Sequence, residues 1–253
     1  MLRLPRTLVA AALAATAFTV HAASVKVTFD SPIFSGTPSP YYDAVRITFP
    51  AQSGNGSESL DVAAGRFHGA ASNLVDIDPG RFVDNVTSLW MYCYDLYDRI
   101  GNGSVVTYTI DFTGVADRTL AFLGAVNAVR NAGQASVDPY AWLHPATAYE
   151  AAAIQLGIWE SKYDSGWNID SGAFSATGIE SATRSALAGY FAALASAAPL
   201  ERRYTMVLEA RGAQDMITGD PPGSVPEPGT LALLVAPLAL LALGRRRRDA
   251  GAR

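Results

Sequence analysis

The chain has 253 residues, is 49% hydrophobic and 10% aromatic, and contains one cysteine. That length and apolar content build one sizeable core and exclude an intrinsically disordered chain, while a single cysteine excludes an intramolecular disulfide framework. The net charge is −4 and becomes about −9 without residues 1–22 and 226–253, which carry seven of the 19 basic and two of the 23 acidic residues; such a surface disfavours nucleic acid and anionic membranes.

Residues 1–22 begin with Arg3 and Arg6, continue as an apolar run from Leu8 to Val20 and end in Val20-His21-Ala22. This is the order of a secretory signal peptide, and cleavage is expected after Ala22. The alternative, an N-terminal membrane helix, needs roughly 20 apolar residues, more than this run supplies.

A globular domain is predicted over residues 23–218. Val25, Val27 and Phe29 alternate, as do Val45, Ile47 and Phe49 after the turn-rich Ser31 to Tyr42, so two strands are expected there. Polar, glycine-rich Gln52 to Gly56 reads as a loop. Leu89 to Leu96 and Val105 to Phe112 are predicted strands, joined into a hairpin by the Gly-Asn-Gly turn within Asp98 to Gly103. Helical patterns follow at Arg118 to Asn131, Ala148 to Tyr163 and Glu180 to Ala197, the last with a capping-box signature in Thr177 and Glu180. A strand at Tyr204 to Glu209 closes the domain. The fold class is therefore α+β, an antiparallel β-sheet or sandwich with a helical insertion.

Two residues in this domain are out of character. Cys93 is an unpaired thiol in a chain marked for an oxidising compartment. It lies in Trp90-Met91-Tyr92-Cys93-Tyr94-Asp95, where strand alternation puts Leu89, Met91, Cys93 and Asp95 on one face. Gln155 falls inside the apolar stripe of Ala151-Ala152-Ala153-Ile154-Gln155-Leu156-Gly157-Ile158-Trp159, where an unpaired amide costs about 1–3 kcal/mol. Gly157, in the same helix, costs about 0.5–1 kcal/mol relative to alanine. One chemical outcome removes both anomalies: the thiol attacks the side-chain amide, ammonia leaves, and an internal thioester remains. The plainer reading is a small buried thiol and an amide that hydrogen-bonds the sheet.

Tyr92-Cys93-Tyr94-Asp95 and Gln155-Leu156-Gly157-Ile158-Trp159 together resemble the two signatures of the bacterial thioester domain, a strand cysteine after an aromatic and a Gln-x-x-Ile-Trp helix. The resemblance implies a Cys93–Gln155 thioester that acylates an amine or hydroxyl on a partner surface polymer or exopolysaccharide, reacting once rather than turning over. Tyr92, Tyr94 and Trp159 are then expected as pocket walls that keep water out.

Residues 219–230 form a Pro/Gly linker, with Asp220-Pro221-Pro222-Gly223 and then Val225-Pro226-Glu227-Pro228-Gly229-Thr230. Residues 231–253 form a short hydrophobic sorting helix, broken by Pro237 and closed by Arg245, Arg246, Arg247 and Arg248, an arginine cluster that holds its own side in the cytoplasm. Pro226-Glu227-Pro228, the apolar stretch and the arginine cluster resemble the PEP-CTERM signal of exosortase substrates. That resemblance implies transient anchoring in the inner membrane of a Gram-negative bacterium, cleavage by an exosortase, and release to the cell surface or matrix. An ordinary C-terminal anchor helix is the alternative.

No cofactor or metal is expected. His68 and His144 with one cysteine are too few for a tetrahedral zinc site, and Asp76, Asp78 and Asp84 lack EF-hand spacing. His144 is assigned no role. With no serine elbow, and nothing to supply a base and orienting acid, the chain is not expected to be an enzyme, and a non-catalytic matrix protein is the competing function.

Overall fold

A computed structural model describes residues 22–221. The signal peptide, the sorting residues Pro226, Glu227, Pro228 and Arg245 to Arg248, and the hydrophobic tail lie outside the described residues. Two antiparallel sheets and three α-helices make up the domain, a mixed α+β architecture. Strands β1 (Ser24–Phe34), β4 (Phe67–Val75), β5 (Leu89–Cys93), β9 (Met216–Gly219), β8 (Thr205–Glu209) and β6 (Val105–Asp111) close in that order into a barrel. A three-stranded sheet runs β3 (Ser57–Gly65), β2 (Tyr42–Pro50), β7 (Ser175–Thr177). The helices are α1 (Asp117–Arg130), α2 (Ala148–Tyr163) and α3 (Ser181–Ala193).

Alternation sets the two faces of the strands. Val25, Val27 and Phe29 of β1 and Val45, Ile47 and Phe49 of β2 are all buried, while Thr28, Ala44 and Arg46 between them are exposed. Helix α2 departs from this pattern, because Ala148 and the run from Ala151 to Ser161 are buried on every side. It packs against β2, β3, α1 and α3, the position of a helix apolar all round. Among the described residues no helix is long and apolar enough to cross a membrane.

Two sequence expectations are corrected. The strands β5 and β6 do not form a hairpin: β5 pairs with β4 and β9, and β6 pairs with β1 and β8. In a closed barrel each strand has two partners, and here those places go to β4 and β9 for β5 and to β1 and β8 for β6, leaving none for each other. The capping box at Thr177 and Glu180 also fails, since Thr177 ends β7 and Glu180 makes no side-chain cap, giving its backbone N–H instead to Asp43 Oδ2 at 2.9 Å. The same Thr-x-x-Glu spacing does cap α2, where Thr147 accepts the Glu150 N–H at 3.2 Å and Glu150 Oε2 accepts the Ala146 N–H at 2.8 Å. Strands β3, β4, β7 and β9 are additional to those expected.

Candidate functional site

Cys93 is the last residue of β5, where the sheet changes hands. Strand β4 starts at Phe67, which pairs with Met91, so the ladder on that side stops two residues before Cys93. On the other side β9 is aligned with Tyr92 and Cys93, and the Tyr94 N–H reaches Asp215 O at 2.7 Å. The N–H and C=O of Cys93 turn toward the vacated β4 side, and Gln155 of α2 meets both. Its Oε1 accepts the Cys93 N–H at 2.8 Å, and its Nε2 donates to Cys93 O at 2.9 Å. The carboxamide thus continues the ladder, and Gln155, with no exposed surface, is fully paired.

The side chain of Cys93, itself only 2% exposed, borders a cavity of about 210 Å³ whose walls are apolar at Phe34, Phe67 and Trp159 and charged at Asp61, Asp98 and Arg99. Of the three expected walls, only Trp159 borders it. Tyr92 is buried on the other strand face, its ring 5.9 Å from Trp142 and its hydroxyl donating to Trp142 O at 3.3 Å. Tyr94 accepts the Ala116 N–H at 2.8 Å and lies under the Lys162 ammonium, 3.8 Å from its ring centroid. The walls that the sequence reading missed include Leu60 and Val62 of β3, whose alternation in Ser57-Glu58-Ser59-Leu60-Asp61-Val62 was the available signal.

Burial pushes the Cys93 thiol well above its ordinary range, and the nearby Asp95 charge adds to the shift. The Asp95 carboxyl is itself raised to about 7, first by burial and then by the charge of Asp215, with Lys162 opposing. Burial in turn lowers Lys162, against the pull of Asp95, Asp215 and Glu209. A thiol at the end of β5, a carboxamide from α2 whose oxygen is already hydrogen-bonded, and a carboxyl two residues past the strand that changes protonation near neutrality therefore lie close together. Of the other residues singled out, His144 Nε2 pairs with Asp84 Oδ2 at 2.8 Å, and Asp78 accepts the Gly80 N–H at 2.7 Å.

Farther along α2, Glu160 has no exposed surface. Its Oε1 accepts the Asn168 N–H at 2.8 Å, its Oε2 has no protein partner among the described residues, and burial raises the carboxyl to about 7. The folded chain then holds a proton that the unfolded chain releases at ordinary carboxyl pH. This contribution to stability is complete below about pH 4.5 and is lost as pH rises through about 7. Glu160→Gln keeps the acceptor for Asn168 and removes the titration. At pH 8 it is expected to gain about 2 kcal/mol over wild type, and at pH 5 little, as read from urea midpoints at the two pH values.

No protein-family model, no curated protein and no solved structure matches the chain, so the site is read from its own residues.

Proposed function

We propose that this chain is an exported surface or matrix protein whose domain carries an internal thioester between Cys93 and Gln155 and uses it once, to acylate an amine or hydroxyl on a partner polymer. The single observation that carries the reading is the docking of the Gln155 carboxamide on the backbone of Cys93 by two hydrogen bonds. The Cys93 N–H on Oε1 polarises the carbonyl and meets the negative charge that develops there during attack, as an oxyanion donor does. Sγ bonds to the side-chain carbonyl carbon, the C–N bond breaks, and the thiol proton leaves with the amine as ammonia. Asp95, two residues past the end of β5 and close enough for its charge to act on the thiol, is the carboxylate that accepts the proton from a thiol whose burial resists ionisation. The apolar side chains beside Cys93, Phe34, Phe67 and Trp159 among them, slow hydrolysis, the competing reaction, although Asp61, Asp98 and Arg99 also line the cavity. The terminal sequences supply the route: export by the signal peptide, transient inner-membrane anchoring, and exosortase cleavage at the PEP-CTERM tail of a Gram-negative cell.

The same two hydrogen bonds also favour a second reading, in which Gln155 is a ladder-completing amide and the domain is a non-covalent matrix scaffold. Intact mass decides between them. The thioester form is short by one ammonia, takes up methylamine at Gln155, and loses both properties in Cys93→Ala. A full-length mass with a thiol that titrates freely on unfolding would eliminate the covalent reading.

A further inference from the structure

Away from the Cys93 cavity, two neighbouring barrel strands, β1 and β4, and the bend that leads into β5 bring Asp30, His68 and Ser88 together on the outer face. His68 of β4 stands opposite Trp90 of β5, and Ser88, in the bend just before β5, reaches the His68 ring. On the other flank β1 is irregular after Phe29, which carries Asp30 alongside His68. Gly69 permits the close approach of these strands, because a Cβ there would lie 2.6 Å from Thr28 O.

His68 Nδ1 is 2.6 Å from Asp30 Oδ2, and His68 Nε2 is 3.2 Å from Ser88 Oγ. The carboxylate assigns the proton to Nδ1, which leaves the Nε2 lone pair to accept the serine hydroxyl. The Trp90 ring, 4.1 Å from the imidazole centroid, holds the ring from one side. The His68 side chain is 19% exposed and Ser88 is half-buried, so reagents reach both.

We propose that Ser88, His68 and Asp30 form a nucleophilic relay that takes acyl groups from carboxylic esters with good leaving groups. Ser88 Oγ bonds to the ester carbonyl carbon as His68 Nε2 takes its proton. The C–O bond to the alcohol breaks, and His68 returns the proton to that alcohol. A water, deprotonated by His68, then cleaves the Ser88 ester, releases the carboxylic acid and restores the serine. Asp30 is a positioning residue. Its side chain is 49% exposed, so water screens its field on the imidazole, and the relay suits activated esters rather than peptide bonds. The relay is independent of Cys93 and Gln155 and adds an activity that sequence order conceals, because its members are separated by 38 and 20 positions.

Treatment of the purified exported protein with a fluorophosphonate, followed by peptide mapping, tests this. The expected result is one label, on Ser88, absent in Ser88→Ala and slowed at least tenfold in His68→Gln. Asp30→Asn slows labelling severalfold and Asp30→Glu restores it, which a merely structural aspartate would not require. Urea midpoints confirm that the variants fold, and Ser88→Ala, which removes only one half-buried oxygen, keeps the test valid if His68→Gln does not. No label on Ser88, or labelling of Ser88 at an unchanged rate in His68→Gln, would overturn the proposal.

Discussion

Gln155→Leu is expected to lower the stability of the domain by about 2–5 kcal/mol although it replaces a polar side chain with an apolar one of similar size in a dry interior. The reason lies in β5 and not in the helix. The Cys93 N–H and C=O point to the side where β4 has ended, and both find their partners in the one carboxamide. Leucine leaves a buried donor and a buried acceptor unpaired, each costing about 1–3 kcal/mol. Cys93→Ala supplies the contrast. It leaves both backbone hydrogen bonds intact, so in a free-thiol protein it removes only a small hydrophobe and costs about 1 kcal/mol. If the thioester is present, Cys93→Ala also opens a cross-link between residues 62 positions apart, and a closed loop of that size contributes about 4 kcal/mol. Urea denaturation of the two variants thus gives a stability signature of the bond that is separate from the mass. A Gln155→Leu protein as stable as wild type would show that the carboxamide is not needed to complete the ladder.

Some of this site was legible in the sequence because its chemistry is local. A lone cysteine in an alternating strand and a glutamine in an apolar helix are anomalies visible without coordinates, and the bounds read for α2, Ala148 to Tyr163, match the helix. Strands β1 and β2 were legible because valine, isoleucine and phenylalanine alternate there with polar residues. Strand β4 was hidden by its composition, since Gly69, Ala70, Ala71 and Ser72 carry little strand preference and its existence depends on pairing with β1. The β5–β6 hairpin misled for a related reason. A Gly-Asn-Gly turn between two strong strands is a local signal, and barrel closure overrides it by giving β5 to β4 and β9 and β6 to β1 and β8. Thr-x-x-Glu occurs at two helix starts and caps only one, because at the other Asp43 from β2 already takes the backbone donor. Asp30, His68 and Ser88 have no joint sequence signature, and only the strand register unites them.

Gly124→Ala is expected to be the most damaging single-methyl change in the helical layer, at about 3–4 kcal/mol, although alanine would raise the helix preference of α1 by about 1 kcal/mol. A Cβ at Gly124 would sit 2.1 Å from Ala198 O and 2.8 Å from Leu200 N. Both are backbone atoms, and that segment is tied to α1 by the Leu200 N–H donating to Leu120 O at 2.9 Å. The methyl can be accommodated only by separating the segment from the helix and breaking that bond. Gly157→Ala is the informative companion, because there the obstacle is a side chain: a Cβ would lie 1.9 Å from Phe122 Cζ. Phe122 is fully buried, with Trp167, Tyr190 and Phe191 all within 6.2 Å of its ring centroid, so it can shift but has little room to turn away. A loss of about 1–3 kcal/mol is expected, smaller than at Gly124. The glycine that looks like a weak point in α2 is therefore the residue that lets α1 close against it. That contact lies two residues from Gln155, so Gly157→Ala should also weaken the hold of the carboxamide on Cys93, read as faster exchange of the Cys93 amide hydrogen. An unchanged Cys93 amide in a destabilised Gly157→Ala protein would mean that β5, and not the helix packing, fixes the position of the pair.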